Sequence, residues 1–217
     1  LRARLAGPVA VYDPEGLAEA ALALLGLPAD MLLVHDSTAV GQVRAGLTAR
    51  ALTDLPTSGA RTVLIAAFGA ARAAERIRPM LPQDAAIETL DAIRLPDALL
   101  TNRASYLDKL NFATNFAFFR DADGLSTRLV SANYWANHGA GSVRLWLRLY
   151  DAAGAALATW EEALPPGPGG FAINSRDVRR RFGLPEFAGQ LFVHAVGAAG
   201  HDVVKYALDT FSSGAGG

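Results

Sequence analysis

The sequence predicts an α/β domain built on a small parallel sheet, followed by an all-β domain of antiparallel strands. Three observations carry this reading. Before about residue 100, short apolar runs alternate with Ala-rich stretches at helical spacing, the order that produces parallel strands joined by crossover helices. After it, helical spacing largely stops and two-residue alternation between turn signals takes over. All three tryptophans, Trp135, Trp146 and Trp160, lie in this second half. The boundary falls near 96–105, so the expected domains are 1–100 and 105–217.

The elements follow in order. Pro8-Val9-Ala10-Val11-Tyr12 reads as a buried strand and Pro14-Glu15-Gly16 as the turn after it. Leu17, Ala21, Leu24 and Leu25 have helical spacing, stopped by Gly26 and Pro28. Met31 to His35 is a second strand, and the stretch through Gly41, Gly46 and Pro56 reads as a loose connection. Arg61 to Ala67 is a strand, 70–80 a helix and Ala86 to Leu90 another strand. In the second half, strands are expected over 112–120, 127–135, 143–150 and 156–162, with Asp151-Ala152-Ala153-Gly154 as a hairpin turn. Pro165 to Gly170 is a loop, and Phe171-Ala172-Ile173 restarts a strand. Ser175 reads as the N-cap of a short helix ending at Phe182 and Gly183. Strands over 191–196 and 202–211 complete the set. Short strands at this spacing read as an antiparallel β-sandwich.

Composition removes several function classes. With 217 residues, 51% hydrophobic and 19% charged, the chain is too apolar for disorder and long enough for a sizeable core. Zero cysteines exclude a disulfide scaffold, a Cys-ligated zinc, an iron–sulfur cluster and a cysteine nucleophile. A formal charge of −1 argues against general nucleic-acid binding. Of 20 basic residues only Lys109 and Lys205 are lysine, the bias of a GC-rich bacterial genome. No apolar run approaches the roughly 20 residues of a membrane span. The start shows no signal-peptide pattern, so a cytoplasmic location is expected, with export the alternative if a leader was removed. The Ser-Ser-Gly-Ala-Gly-Gly end suits a fragment of a larger protein.

The first strand-turn-helix is where a dinucleotide fold holds phosphate on glycine-rich backbone. Here Tyr12-Asp13-Pro14-Glu15-Gly16 offers one glycine, two carboxylates and a proline without an N–H. That chemistry predicts a Rossmann-like layer used for packing. The order of Val9-Ala10-Val11-Tyr12, Gly16, Val34-His35-Asp36, Gly46-Leu47 and Thr62-Val63-Leu64-Ile65-Ala66 resembles the small Rossmann-like domain attached to bacterial sugar acyltransferases and some glycosyltransferases. The resemblance implies a nucleotide-sugar ligand facing Gly16 and Asp36. In the second half, Asn133-Tyr134-Trp135-Ala136-Asn137-His138-Gly139, the alternating strand, Asp151…Gly154 and Leu164-Pro165-Pro166-Gly167 resemble bacterial Ig-like adhesion or accessory sandwiches. That resemblance implies a fold and no particular ligand.

The most informative segment is Val143 to Tyr150, whose aliphatics take one face and Arg144, Trp146, Arg148 and Tyr150 the other. Such a face either covers a neighbouring apolar surface with arginine stems and rings, or forms a platform for a sugar ring or a protein partner. For a metal, the option is His194, His201 and Asp202, brought together if Gly197-Ala198-Ala199-Gly200 is a hairpin turn. The chain has no Gly-x-Ser-x-Gly elbow. Glu161 and Glu162, adjacent on a strand, face opposite ways and make no acid–base pair. The basic run Arg176, Arg179, Arg180 and Arg181 reads as a solvated helix face or a contact for an acidic partner. The expected function is a non-catalytic binding or interaction module without a cofactor, taking a protein or carbohydrate. The alternatives are a sugar-modifying enzyme holding a nucleotide-sugar and a divalent-metal activity at the histidines.

Overall fold

The computed structural model describes residues 1–82 and 84–212, so the last five positions of the 105–217 segment lie outside the described residues. The chain divides into two compact units, Leu1–Leu95 and Pro96–Gly217. The first is α/β and the second is an all-antiparallel β unit with one α-helix.

In the first unit β1 (Val9–Tyr12) runs into α1 (Ala18–Leu25), which Gly26 stops with a left-handed φ of 56°. Next come β2 (Met31–Val34), β3 (Val43–Arg44), β4 (Leu47–Ala51), β5 (Thr62–Ile65), α2 (Ala71–Ile77) and β6 (Ala86–Thr89). The sheet order is β3-β4-β2-β1-β5-β6, parallel throughout except for the β3–β4 hairpin. Alternate residues of the central strands feed two cores. Val9, Val11, Leu32, Val34 and Leu64 pack with Ala18 and Leu22 of α1. Ala10, Tyr12, Leu33, Val63 and Ile65 pack with Ile77 of α2. The two helices therefore bury their apolar sides against opposite sets of strand residues, which is why β1 and β5 read as continuous apolar runs.

One expectation is corrected here. The supposed loose connection contains β3 and β4, and β4 extends the parallel sheet beside β2. Its signal is faint because only Ala49 of its five residues is buried. The hairpin tip, Ala45-Gly46, has positive φ at both positions (51° and 75°). This is the geometry that normally advertises itself as Asn-Gly or Asp-Gly.

The second unit contains β7 (Thr114–Ala122), β8 (Leu125–Ala132), β9 (Arg144–Asp151), β10 (Ala156–Ala163), β11 (Gly170–Asn174), α3 (Ser175–Phe182), β12 (Phe187–Val196) and β13 (Ala207–Ser212). Its strands run in the order β10-β9-β12-β7-β8-β11, with β13 also on β8. β7 and β8 pair over only two positions beside their turn, Asp121–Ser126 and Ala122–Leu125. Beyond it β7 pairs with β12, whereas β8 pairs with β11 and β13. One core, including Phe119, Leu129, Trp135, Leu147, Ile173 and Val193, draws on both groups of strands.

Details differ from expectation where polar side chains redirect the backbone. The strand expected to reach Trp135 ends at Ala132, and Tyr134–His138 is a 3-10 turn. The strand expected from Asp202 begins at Ala207. Asn174, not Ser175, caps α3 by accepting from the Arg176 N–H at 3.0 Å. The buried Ser175 hydroxyl instead accepts from the Thr127 N–H at 2.9 Å. No helix among the described residues is long and apolar enough to cross a membrane.

Candidate functional site

Strand alternation builds the site. In β9 the buried residues are Leu145, Leu147 and Leu149, so Arg144, Trp146, Arg148 and Tyr150 share the outer side. Register then fixes their neighbours. On β12, Val196, His194, Phe192 and Gln190 stand beside these four in turn. On β7, Phe116 is beside Phe192 and Phe118 beside Gln190. The three strands thus carry an aromatic grid on one face. The Phe116 and Phe192 rings lie 4.8 Å apart, and Trp146 meets Phe192 edge-on at 6.0 Å. The Arg148 guanidinium sits 5.5 Å over the Tyr150 ring.

The grid is occupied at one end and open at the other. Arg144 pairs with Glu161 at 2.6 Å and donates to the Ala98 carbonyl. His194 Nε2 lies 2.8 Å from the Leu99 carbonyl, and Thr101 accepts from the Gly197 N–H at 2.9 Å. The 97–101 segment therefore crosses the Arg144–His194 end. Burial holds the His194 pKa below the usual imidazole value, Arg144 adds to the lowering, and the Leu99 contact opposes it. At the other end Phe116 and Phe118 are 53% and 52% exposed, values rare for phenylalanine in a strand. A shallow concavity of about 550 Å³ lies there, lined by Phe116, Phe118, Tyr150, Asp151, Ala188 and Gln190. Buried Nε atoms of Arg148 and Arg120 have no hydrogen-bond acceptor among the described residues.

The positions assigned to a nucleotide-sugar look different. The Asp13 carboxylate accepts from the N–H groups of Leu17 (2.8 Å) and Ala18 (3.2 Å), at the start of α1 where a phosphate would bind. Asp91 does the same for Gly69 (2.7 Å) and Ala70 (3.1 Å) before α2. Asp36 accepts from both the N–H and the hydroxyl of Thr38 at 2.8 Å, bonds that hold its pKa below the usual carboxylate value. Gly16 sits in the turn with φ 76° and open space around it.

The histidine set is corrected. β12 and β13 pair with different strands, so His194 and His201 are not joined by a hairpin. The His201 ring lies instead against His138, and no cluster of three His, Asp or Glu placed for a metal occurs among the described residues. The basic run is internally matched: Arg179 with Asp121 (3.2 Å), Arg180 with Asp177 (2.7 Å), Arg181 with Glu162 (3.6 Å), and Arg176 over the Phe211 ring. Sequence reasoning missed Phe116, Phe118 and Phe192. Their signal is weak because Phe116-Ala117-Phe118-Phe119 places phenylalanine on both faces of β7 and blurs the alternation. No model of a known protein family matches this chain, and no curated protein matches it in sequence.

Proposed function

We propose that this chain is a non-catalytic interaction module, and that the outer face of β9, β12 and β7 binds a protein segment carrying aromatic or aliphatic side chains and carboxylates. The observation that carries this reading is the pair of half-exposed phenylalanines, Phe116 and Phe118, beside Phe192, Trp146 and Tyr150. Aromatic and arginine side chains are the types enriched at the centres of protein interfaces. Arg148, whose guanidinium lies over the Tyr150 ring and forms no ion pair among the described residues, supplies the preference for carboxylate. In this reading the second unit is a β-sandwich, one layer β10-β9-β12-β7 and the other β11-β8-β13, linked by the β7–β8 turn. The first unit is a Rossmann-like layer whose helix N-termini are closed by Asp13 and Asp91, which favours packing over nucleotide-sugar binding.

The test is a selection of displayed random peptides against the purified protein, with counter-selection against Trp146→Ala/Phe118→Ala and a glycan array run in parallel. The reading expects acidic, aromatic-containing peptides that lose binding to the variant and to Arg148→Gln. Saturable glycan binding lost in the same variant, with no such peptide, would replace the protein reading by the carbohydrate one.

A further inference from the structure

Lys205 and two histidines, His138 and His201, come together in the second unit, within the field of Lys109. His138 ends the 3-10 turn Tyr134–His138, and its ring meets that of His201 at 4.7 Å with planes 90° apart. His201 in turn lies edge-on to Tyr134 at 5.7 Å, and the Lys205 ammonium sits 5.4 Å over that ring. Lys109 adds its charge to the field at His201.

The arrangement is held by the backbone. Gly200 has φ 72°, and a Cβ there would fall 2.5 Å from the His138 ring. Glycine is therefore required both by conformation and by the imidazole lying against it. The Trp135 indole donates to the His201 carbonyl at 2.9 Å. The Tyr134 hydroxyl donates to the Val203 carbonyl (2.6 Å) and accepts from the Lys205 N–H (2.8 Å).

Among the described residues the cations of this cluster are not tied into ion pairs, although Lys109 acts on the neighbouring Asp108 carboxylate. Nor does either imidazole of the pair have a hydrogen bond to its ring nitrogens among these residues. Asp202 is exposed and close enough to pull on His201, yet makes no ion pair with it. We propose that His138, His201, Lys205 and Lys109 form a binding site for a tetrahedral dianion, a phosphate or sulfate carried free or as an ester. Two perpendicular imidazoles and a point-charge ammonium spread donors in three dimensions, whereas a planar carboxylate is better met by an arginine fork. The same positive charges repel a metal cation, which separates this site from a two-histidine metal centre.

Partial desolvation, then Lys205 and His138, hold the His201 pKa below the usual imidazole value, with Lys109 a smaller contribution and Asp202 opposing. A bound dianion reverses the balance. The experiment follows the Cε1 protons of His138 and His201 by NMR through pH titration in sodium sulfate and in sodium chloride at equal ionic strength. Sulfate suits the purpose because its charge is constant over this range. The titration midpoints of His138 and His201 are expected to rise by about half a unit or more in sulfate, with exposed His35 unmoved. The double variant Lys109→Ala/Lys205→Ala should lose most of that rise. Repeating the titration with phenyl phosphate assigns the source: a matching rise means that esters are accepted, and sulfate alone means the free ion. No rise beyond that of His35, or a rise undiminished in the double variant, would overturn the site.

Discussion

Asn111 is fully buried in the second unit and uses every polar atom of its amide. Its Oδ1 accepts from the Asn102 N–H at 2.7 Å, while Nδ2 donates to the carbonyls of Asn102, Ser105 and Tyr106, each at 2.9 Å. Three carbonyls share two hydrogens, so one bond is divided. Removing the amide strands several backbone groups at once, and Asn111→Ala is expected to cost about 2–4 kcal/mol in urea unfolding. A loss under about 1 kcal/mol would mean that these groups are reached by water. His194 sets a pH dependence with a definite sign. Its pKa is lowered on folding, so the unfolded chain binds the proton more tightly. Its contribution is intact above the unfolded value of about 6.5 and is lost as pH falls from there to the folded pKa, at up to about 1.4 kcal/mol per pH unit. His194→Gln should flatten this part of the stability profile, which chemical denaturation at several pH values would reveal. Neither role was legible in the sequence. Asn111 sits in a loop-like run of polar residues, and the partner of His194 lies 95 residues away.

At the scale of elements, the sequence exposed what repeats and hid what is made by single contacts. β1, β2, β5, β6, α1 and α2 announce themselves by apolar runs or helical spacing. β3 and β4 do not, because the Ala45-Gly46 turn lacks the usual asparagine or aspartate. The cap of α3 fell one residue from its expected place because Ser175 is committed to Thr127. Glycines show the same division. At Gly189, in β12, a Cβ would lie 1.9 Å from the Tyr150 carbonyl oxygen of β9, an approach that backbone cannot relieve. Gly189→Ala is therefore expected to cost about 3 kcal/mol or more. Gly154 has φ 84° and nothing near its missing Cβ, so Gly154→Ala should cost only about 1 kcal/mol, from backbone conformation alone. Thermal unfolding of the two variants side by side checks the ordering; equal losses would contradict the β9–β12 contact.

Over the whole molecule, the α/β-then-antiparallel order was legible because it rests on periodicity, which each segment carries locally. The candidate site was legible in one strand only. Arg144, Trp146, Arg148 and Tyr150 could be placed on one face from alternation alone, yet their neighbours depend on β7 and β12, brought alongside by register. Register also separates the four. Arg144 is engaged by Glu161 and the Ala98 carbonyl, so the open part of the face shifts toward Phe116, Phe118, Arg148 and Tyr150. Likewise the lysine–histidine cluster is invisible as a motif, since its members span positions 109 to 205. In the first unit, chemistry overrode fold position: the carboxylates of Asp13 and Asp91 fill the helix starts that a phosphate would need.

The measurement that bears most directly on the outer face is the affinity of a selected acidic, aromatic peptide for the parent protein and for Phe118→Ala and Trp146→Ala, by calorimetry at constant salt. Binding at least about tenfold weaker is expected in each variant, the loss of roughly 1.4 kcal/mol that marks an interface anchor, with each variant still folded. Affinity equal to that of the parent in both variants would contradict a binding role for the outer face.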